Sequence, residues 1–141
     1  MVKKKRFDKC GGLLEESGLG ENAVCEVTWV FEDVAEGDDI TPEQEKRISD
    51  IVTRRCEGYP LQYLFGQWEF YGLPFKVGEG VLIPRQDTET IVDTALKMFA
   101  GKKDITVIDL CSGSGCIGIT LERKLDCGRA VCVEKSEKAA E

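Results

Sequence analysis

The sequence predicts an α/β protein: a small N-terminal helical bundle, a β-hairpin linker, and then the first β-α-β part of a doubly wound sheet, incomplete within this chain. Three observations predict it. Apolar residues recur at three-to-four spacing through the first 58 positions; aromatic and β-branched residues between Tyr63 and Pro84 are interrupted by Gly and Pro; and a strand, a glycine turn, a helix and a second strand follow in order after Ile105. The expected organisation is a helical domain at 1–58, a hairpin linker at 59–84, and the start of a ligand-binding domain at 85–141.

In the first segment the apolar stripe is Leu13 and Leu14, then Val24, Val27, Val30, Phe31 and Val34. A third helix has the clearest start, with Thr41 as N-cap, Pro42 at the first helical position and Gln44 closing a capping box; Ile48, Ile51 and Val52 form its apolar face, and Gly58 and Pro60 end it. Past Tyr59 the chain reads as strands at Gln67–Tyr71, Phe75–Val77 and Val81–Ile83, with Trp68, Phe70, Tyr71 and Phe75 packing a hairpin between two domains. Asp87 is the expected N-cap of a helix carrying Ile91, Val92, Ala95, Leu96 and Phe99 on one face, and Gly101 is its stop. Then Ile105–Leu110 reads as a buried strand, Cys111–Gly115 as a glycine turn, Cys116–Leu125 as a helix and Ala130–Val133 as a second strand.

Composition narrows the function. The 141 residues carry 19 basic and 26 acidic side chains, a formal net charge of −7, with 42% hydrophobic and 32% charged residues, the profile of a folded globular protein. No apolar run approaches the ~20 residues that span a bilayer, and the basic run Lys3–Arg6 precedes no apolar signal core, so a cytoplasmic protein without a membrane partner is expected. The acidic balance also disfavours a binder of nucleic-acid backbone. With no histidine in the chain, the commonest general base, the Ser-His-Asp and Cys-His nucleophile pairs and histidine metal sites are all excluded.

Seven cysteines fall at 10, 25, 56, 111, 116, 127 and 132 with no Cys-x-x-Cys pair, which argues for reduced thiols. Cys111, Cys116, Cys127 and Cys132 can be drawn as a four-thiolate zinc or iron–sulfur site. The strand–turn–helix–strand pattern would point them in different directions, and no metal is expected.

The residues that carry chemistry lie at Asp109-Leu-Cys111-Ser112-Gly113-Ser114-Gly115-Cys-Ile-Gly118, a literal G-x-G-x-x-G, with Glu134 roughly 20 residues beyond at the end of the next strand. Taken alone, this permits a nicotinamide or flavin dinucleotide. A strand that ends in an acid, however, places a carboxylate where a pyrophosphate would be repelled, and it suits a cationic ligand. S-adenosylmethionine fits: it has a sulfonium and an amino group, no phosphates, and ribose hydroxyls for a second acid to accept. Asp-x-x-x-Gly-x-Gly with a downstream acid resembles motif I of class I methyltransferases. Gly113 and Gly115 are then expected where the backbone turns sharply beside the ligand, so that a Cβ at Gly115 would occupy ligand space.

Upstream, Arg54-Arg55 with Gly58-x-Pro60-Leu61-Gln62-Tyr63-Leu64, then Gly66-x-Trp68-Glu69-Phe70-Tyr71-Gly72-Leu73, then Val81-Leu82-Ile83-Pro84-Arg85-x-Asp87-Thr88-Glu89 resemble the protein-(glutamine-N5) methyltransferases that modify peptide chain release factors. The resemblance runs from about Thr41 to Glu134. It implies a helical N-terminal domain, a hairpin linker and a Rossmann-like class I methyltransferase domain. It also implies that the methyl of S-adenosylmethionine passes to a glutamine side-chain nitrogen of the release factor's Gly-Gly-Gln loop, with no covalent intermediate. Asp109, Cys111, Ser112, Gly113, Ser114, Gly115 and Glu134 would hold the cofactor, Arg85, Asp87 and Glu89 would organise the motif leading into the catalytic domain, and the helical domain would contact the release factor.

Gln86 stands where many relatives have Pro, and Glu134 where Asp is more usual. The family also orients the acceptor amide with an Asn-Pro-Pro-Tyr loop. Here the one Asn is Asn22 and the four prolines, at 42, 60, 74 and 84, are isolated. The expectation is therefore the N-terminal half of such an enzyme, inactive by itself, with its second half-domain loosely folded. Two other readings stay open: an adenine amino-methyltransferase of nucleic acid, which shares the cofactor half, and a non-catalytic release-factor-interacting module.

Overall fold

The structure, a computed structural model, describes residues 2–35, 37 and 39–140. The chain divides into two compact units, Met1–Phe65 and Gly66–Glu141.

The first unit is helical. Helix α1 (Val2–Leu14) runs into a π-helical turn at Glu15–Leu19, which Gly18 breaks with φ 96°; α2 (Asn22–Val34), α3 (Pro42–Cys56) and the short α4 (Leu61–Phe65) follow. Leu14, Ala23, Val27, Val30, Phe31, Ile48, Ile51, Val52 and Leu61 form its core, with Phe7 set edge-on to Phe31 at 5.3 Å. Leu13 and Val24, expected in the stripe, are exposed instead, because each lies about a quarter-turn from a fully buried neighbour, Leu14 on α1 and Ala23 on α2. The capping box forms as the sequence predicts: Gln44 N–H donates to Thr41 Oγ1 at 3.2 Å and Thr41 N–H to Gln44 Oε1 at 2.9 Å.

At the other end of α3, Gly58 (φ 91°) closes a Schellman motif, with Tyr59 N–H donating to Arg54 O at 3.1 Å and Gly58 N–H to Arg55 O at 2.9 Å. The Arg54 guanidinium stacks on the Tyr59 ring at 4.1 Å, and Arg55 forks onto Glu26 with N···O distances of 2.6 and 3.0 Å. That carboxylate raises the Arg55 pKa and holds α3 to α2. The turn of α4 was not legible in the aromatic run; it begins where the Pro60 carbonyl accepts the Tyr63 and Leu64 amides.

In the second unit, β1 (Gln67–Phe70) and β2 (Leu73–Lys76) pair antiparallel with Phe70 opposite Leu73. Positive φ at Tyr71 (53°) and Gly72 (74°) makes the two-residue turn of the mirror-image type that suits twisted strands. Residues 81–83 are not the expected strand: Val81 N–H turns back to Gly78 O at 3.0 Å, with Gly80 at φ 95° between them. Asp87 is not an N-cap either. The chain arrives extended at Arg85, a 3-10 turn forms at Gln86–Thr88, and α5 (Glu89–Met98) starts one residue later, after Thr88, without a side-chain cap. On α5, Val92 is buried but Ile91 is exposed.

Strand β3 (Ile105–Leu110), α6 (Cys116–Lys124) and β4 (Cys127–Val133) form a parallel pair joined through a helix, and α7 (Glu137–Ala140) follows. Gly128 is the extra residue where the register shifts between Ile105 and Thr106. Phe70 and Phe75 pack with Val92, Cys116 and Leu121, so the hairpin's aromatic side belongs to the core of this unit. Strand β3 is not buried as expected: Val107 faces that core, whereas Thr106, Ile108 and Leu110 alternate to an uncovered face.

Candidate functional site

The candidate site grows from the C-terminal ends of β3 and β4. Cys111 leaves β3 with φ 60°, and Ser112 N–H still reaches Val133 O on β4 at 3.1 Å, so the two strands stay tied one residue past the ladder. Ser112 O then accepts Gly115 N–H at 2.8 Å, closing a turn with Gly113 at φ 55° and Gly115 at φ 72°. Gly115 is the N-cap of α6, whose first amides therefore open toward this turn.

The two sequence-predicted acids sit on either side. Asp109 and Cys132 are opposite one another in the parallel pair, and Asp109 Oδ2 accepts Gly118 N–H at 2.9 Å, pinning α6 to β3. Glu134 Oε2 accepts Gly113 N–H at 2.8 Å, while its Oε1 accepts Lys135 and Ser136 N–H, both at 2.8 Å. The bonds from Ser136, Gly113 and Lys135 hold the Glu134 carboxyl below its ordinary pKa. It stays ionised at neutral pH.

The glycines differ in what they face. A Cβ on Gly113 meets nothing within 4 Å, whereas one on Gly115 would lie 3.0 Å from Ile119 Cδ1 and 3.8 Å from Cys132 Sγ. A Cβ at Gly115 would thus meet protein, and Gly113 is the open position. Gly118, not singled out as a site residue from sequence, is the most confined of the three; its Cβ would fall 2.7 Å from Cys132 Sγ and 3.1 Å from Asp109 Oδ2. The third glycine of the G-x-G-x-x-G run was its signal.

Cys111 is exposed, and Ser112 and Ser114 are half-buried in the turn. The buried Cys116 thiol is pushed up by desolvation, partly countered by a hydrogen bond from Ser114, and Cys132 is pushed up by desolvation and by Asp109. Both remain protonated thiols. All seven cysteines are free, and among the described residues no three His, Cys, Asp or Glu side chains gather as a metal site.

Arg85 and Asp87 are exposed before α5. Glu89 reaches the hairpin instead of the glycine turn, accepting Tyr71 N–H at 2.8 Å; the Tyr71 hydroxyl donates to Asp93 Oδ1 at 2.8 Å, and Lys124 Nζ lies 5.6 Å from the Tyr71 ring centre. Asp93 and Lys124 escaped the sequence reading, and Tyr71 was read there only as a packing and motif residue, because the contacts cross between hairpin and helix. A cavity of about 460 Å³ borders Ser114 and is walled by Pro74, Lys76, Arg123 and Ala139; neither Asp109 nor Glu134 lines it.

Residues 25–66 match the family described as PrmC N-terminal domain. The chain is 34% identical over 144 residues to a release factor glutamine methyltransferase of Fusobacterium nucleatum, covering 94% of this chain and 40% of that protein. It is 38% identical over 147 residues to one of Geobacter sulfurreducens, covering 96% of this chain and 50% of that protein, and 39% identical over 106 residues to one of Thermodesulfovibrio yellowstonii, covering 74% and 38%. These matches relate the chain to the release factor glutamine methyltransferases, in agreement with the upstream motifs. The chain spans between 38% and 50% of the length of these three relatives.

Proposed function

We propose that the chain is the cofactor-binding half of an S-adenosylmethionine-dependent methyltransferase that modifies the glutamine side-chain amide in the Gly-Gly-Gln loop of peptide chain release factors, and that it works in the cytoplasm. The observation that carries this reading is the pair of acids, Asp109 in β3 and Glu134 just after β4, set around a glycine turn at the C-terminal ends of adjacent parallel strands. That is where ligands bind in Rossmann-like α/β sheets.

The residues present fit this cofactor. The site offers two carboxylates, suited to a cationic, phosphate-free ligand, and open space over Gly113. The Glu134 carboxylate already takes three backbone N–H bonds, which leaves about one of its four lone-pair positions for a ribose hydroxyl. Among the described residues Asp109 uses only Oδ2, so Oδ1 is available to the ligand's cationic groups. Cys111, Ser112, Gly113, Ser114 and Gly115 supply the turn that lies along it.

When bound, the cofactor supplies an electrophilic methyl group. The chain's own part is to hold and orient it. An amide nitrogen is a poor nucleophile, so the acceptor must be positioned and its N–H groups accepted by other residues. The Asn-Pro-Pro-Tyr loop that would do so is not among these 141 residues. The chain by itself is therefore expected to bind cofactor and not to transfer methyl.

Calorimetry tests the binding half of this reading. S-adenosylmethionine should bind the chain, NAD should not, and Glu134→Ala should weaken binding about tenfold to a hundredfold, the loss of one charge-assisted bond. Tighter binding of NAD than of S-adenosylmethionine would overturn it. Rapid methyl transfer to a release factor by the chain alone would overturn the expectation of inactivity.

A further inference from the structure

Backbone amides from two separate segments converge on one carboxylate beside the glycine turn. Glu134 Oε1 accepts Lys135 and Ser136 N–H, and Glu134 Oε2 accepts Gly113 N–H, each at 2.8 Å. A carboxylate has about four lone-pair positions, so about one is left, on Oε2. A ribose diol brings a pair of hydroxyl donors. Accepting both therefore requires one amide to give up its place.

The amides differ in freedom. Lys135 and Ser136 directly follow Glu134 in the chain, and the Ser136 carbonyl accepts Ala139 and Ala140 N–H at 3.1 Å, so these amides are fixed to the backbone that carries the carboxylate. Gly113 comes from a segment 21 residues earlier, holds φ 55° inside its turn, and has no atom within 4 Å of where a Cβ would stand. It is the amide that can part from Glu134. Whatever enters between them must accept from an amide, which only donates, and donate to a carboxylate, which only accepts. A hydroxyl does both. A phosphate ester would meet the carboxylate as a second anion, and a deoxy carbon would leave both groups unpaired.

We propose that the Glu134–Gly113 contact selects for a free ribose hydroxyl: one hydroxyl of S-adenosylmethionine inserts between Glu134 Oε2 and Gly113 N–H, donating to the first and accepting from the second, while the neighbouring hydroxyl takes the open position on Oε2. This rests on the functional reading above. The length of the glutamate arm is what creates the contact. An aspartate folded back in the same way onto its own following amides is one methylene shorter and would end short of Gly113.

The test combines calorimetry with NMR of the isotopically labelled full chain, using S-adenosylmethionine and its 2′-deoxy and 3′-deoxy analogues. Scalar coupling across a hydrogen bond reports each amide separately. Before ligand is added, Gly113 and Ser136 should both couple to the Glu134 carboxyl carbon; with saturating S-adenosylmethionine the Gly113 coupling should disappear and the Ser136 coupling remain. The analogue that lacks the inserting hydroxyl should bind about tenfold or more weakly, the loss of one charge-assisted bond, and should leave the Gly113 coupling in place. Bound S-adenosylmethionine that leaves the Gly113 coupling intact, or equal affinity for it and both analogues, would overturn the proposal while the functional reading stands. Failure of S-adenosylmethionine to bind would overturn that reading and this inference with it.

Discussion

Glu89, at the first position of α5, accepts the backbone N–H of Tyr71 at 2.8 Å, and one helical turn on, Asp93 accepts the Tyr71 hydroxyl at 2.8 Å. A spacing of four puts both carboxylates on one face of α5, so a single tyrosine is gripped at its backbone and at its tip. Tyr71 also holds φ 53°, a conformation that costs a non-glycine residue about 1–2 kcal/mol.

The grip offsets that cost. Glu89→Ala should destabilise the second unit by about 1.5–3 kcal/mol, the range for a hydrogen bond to a charged group, while Glu89→Gln, whose carbonyl can still accept, should lose much less. Urea denaturation and exchange of the Tyr71 amide check this. Equal losses for the two variants would show that the charge at the start of α5, and not the bond, is what matters.

Gly118 should tolerate no side chain. An alanine there would push its Cβ to 2.7 Å from Cys132 Sγ and 3.0 Å from Asp109 Cβ, and such overpacking costs about 1–3 kcal/mol. Combining it with Cys132→Ala removes the nearest atom, and the pair should be less destabilised than the two single changes added together. Strict additivity by thermal denaturation would mean that α6 shifts as a body and the sulfur is not the obstacle.

Thr120 has no exposed surface, and among the described residues its hydroxyl has no hydrogen-bond partner. A buried hydroxyl without a partner costs about 1–3 kcal/mol, and valine has the same shape without it. Thr120→Val should therefore leave the protein as stable or stabilise it by about 1 kcal/mol. A lower denaturation midpoint would reveal a bond formed through bound water.

What was legible in the sequence was what local chemistry decides. Thr41, Pro42 and Gln44 announce a helix start because the capping partners lie three residues apart, and Asp109, Gly113 and Glu134 announce a glycine turn between two strand ends because such turns have local signals. Val81–Ile83 read as a strand from composition, yet a strand exists only through its neighbour, and here Gly80 sends the backbone into a turn. The two acids were legible as side chains at the ends of adjacent strands. Their work, Asp109 pinning Gly118 and Glu134 holding Gly113, depends on approach distances that no spacing encodes.

Glu134 should make the glycine turn sensitive to acid. Its carboxylate takes amides on both sides, Gly113 through Oε2 and Lys135 with Ser136 through Oε1, and these bonds depress its pKa below the ordinary 4.5. A carboxyl depressed in the folded state contributes stability that is present above its unfolded pKa and is lost as pH falls through the folded value. The turn should thus be held unchanged through the neutral range and loosen only below 4.5. Glu134→Gln keeps one acceptor oxygen and replaces the other with a donor, so it can hold Gly113 or the Lys135–Ser136 pair but not both. The amide resonances of Gly113 and Ser136 should move together in the unmodified chain, with a midpoint below 4.5, and lose that titration in Glu134→Gln. A midpoint at or above 4.5, or movement of one amide without the other, would show that the carboxylate does not bridge the turn in solution.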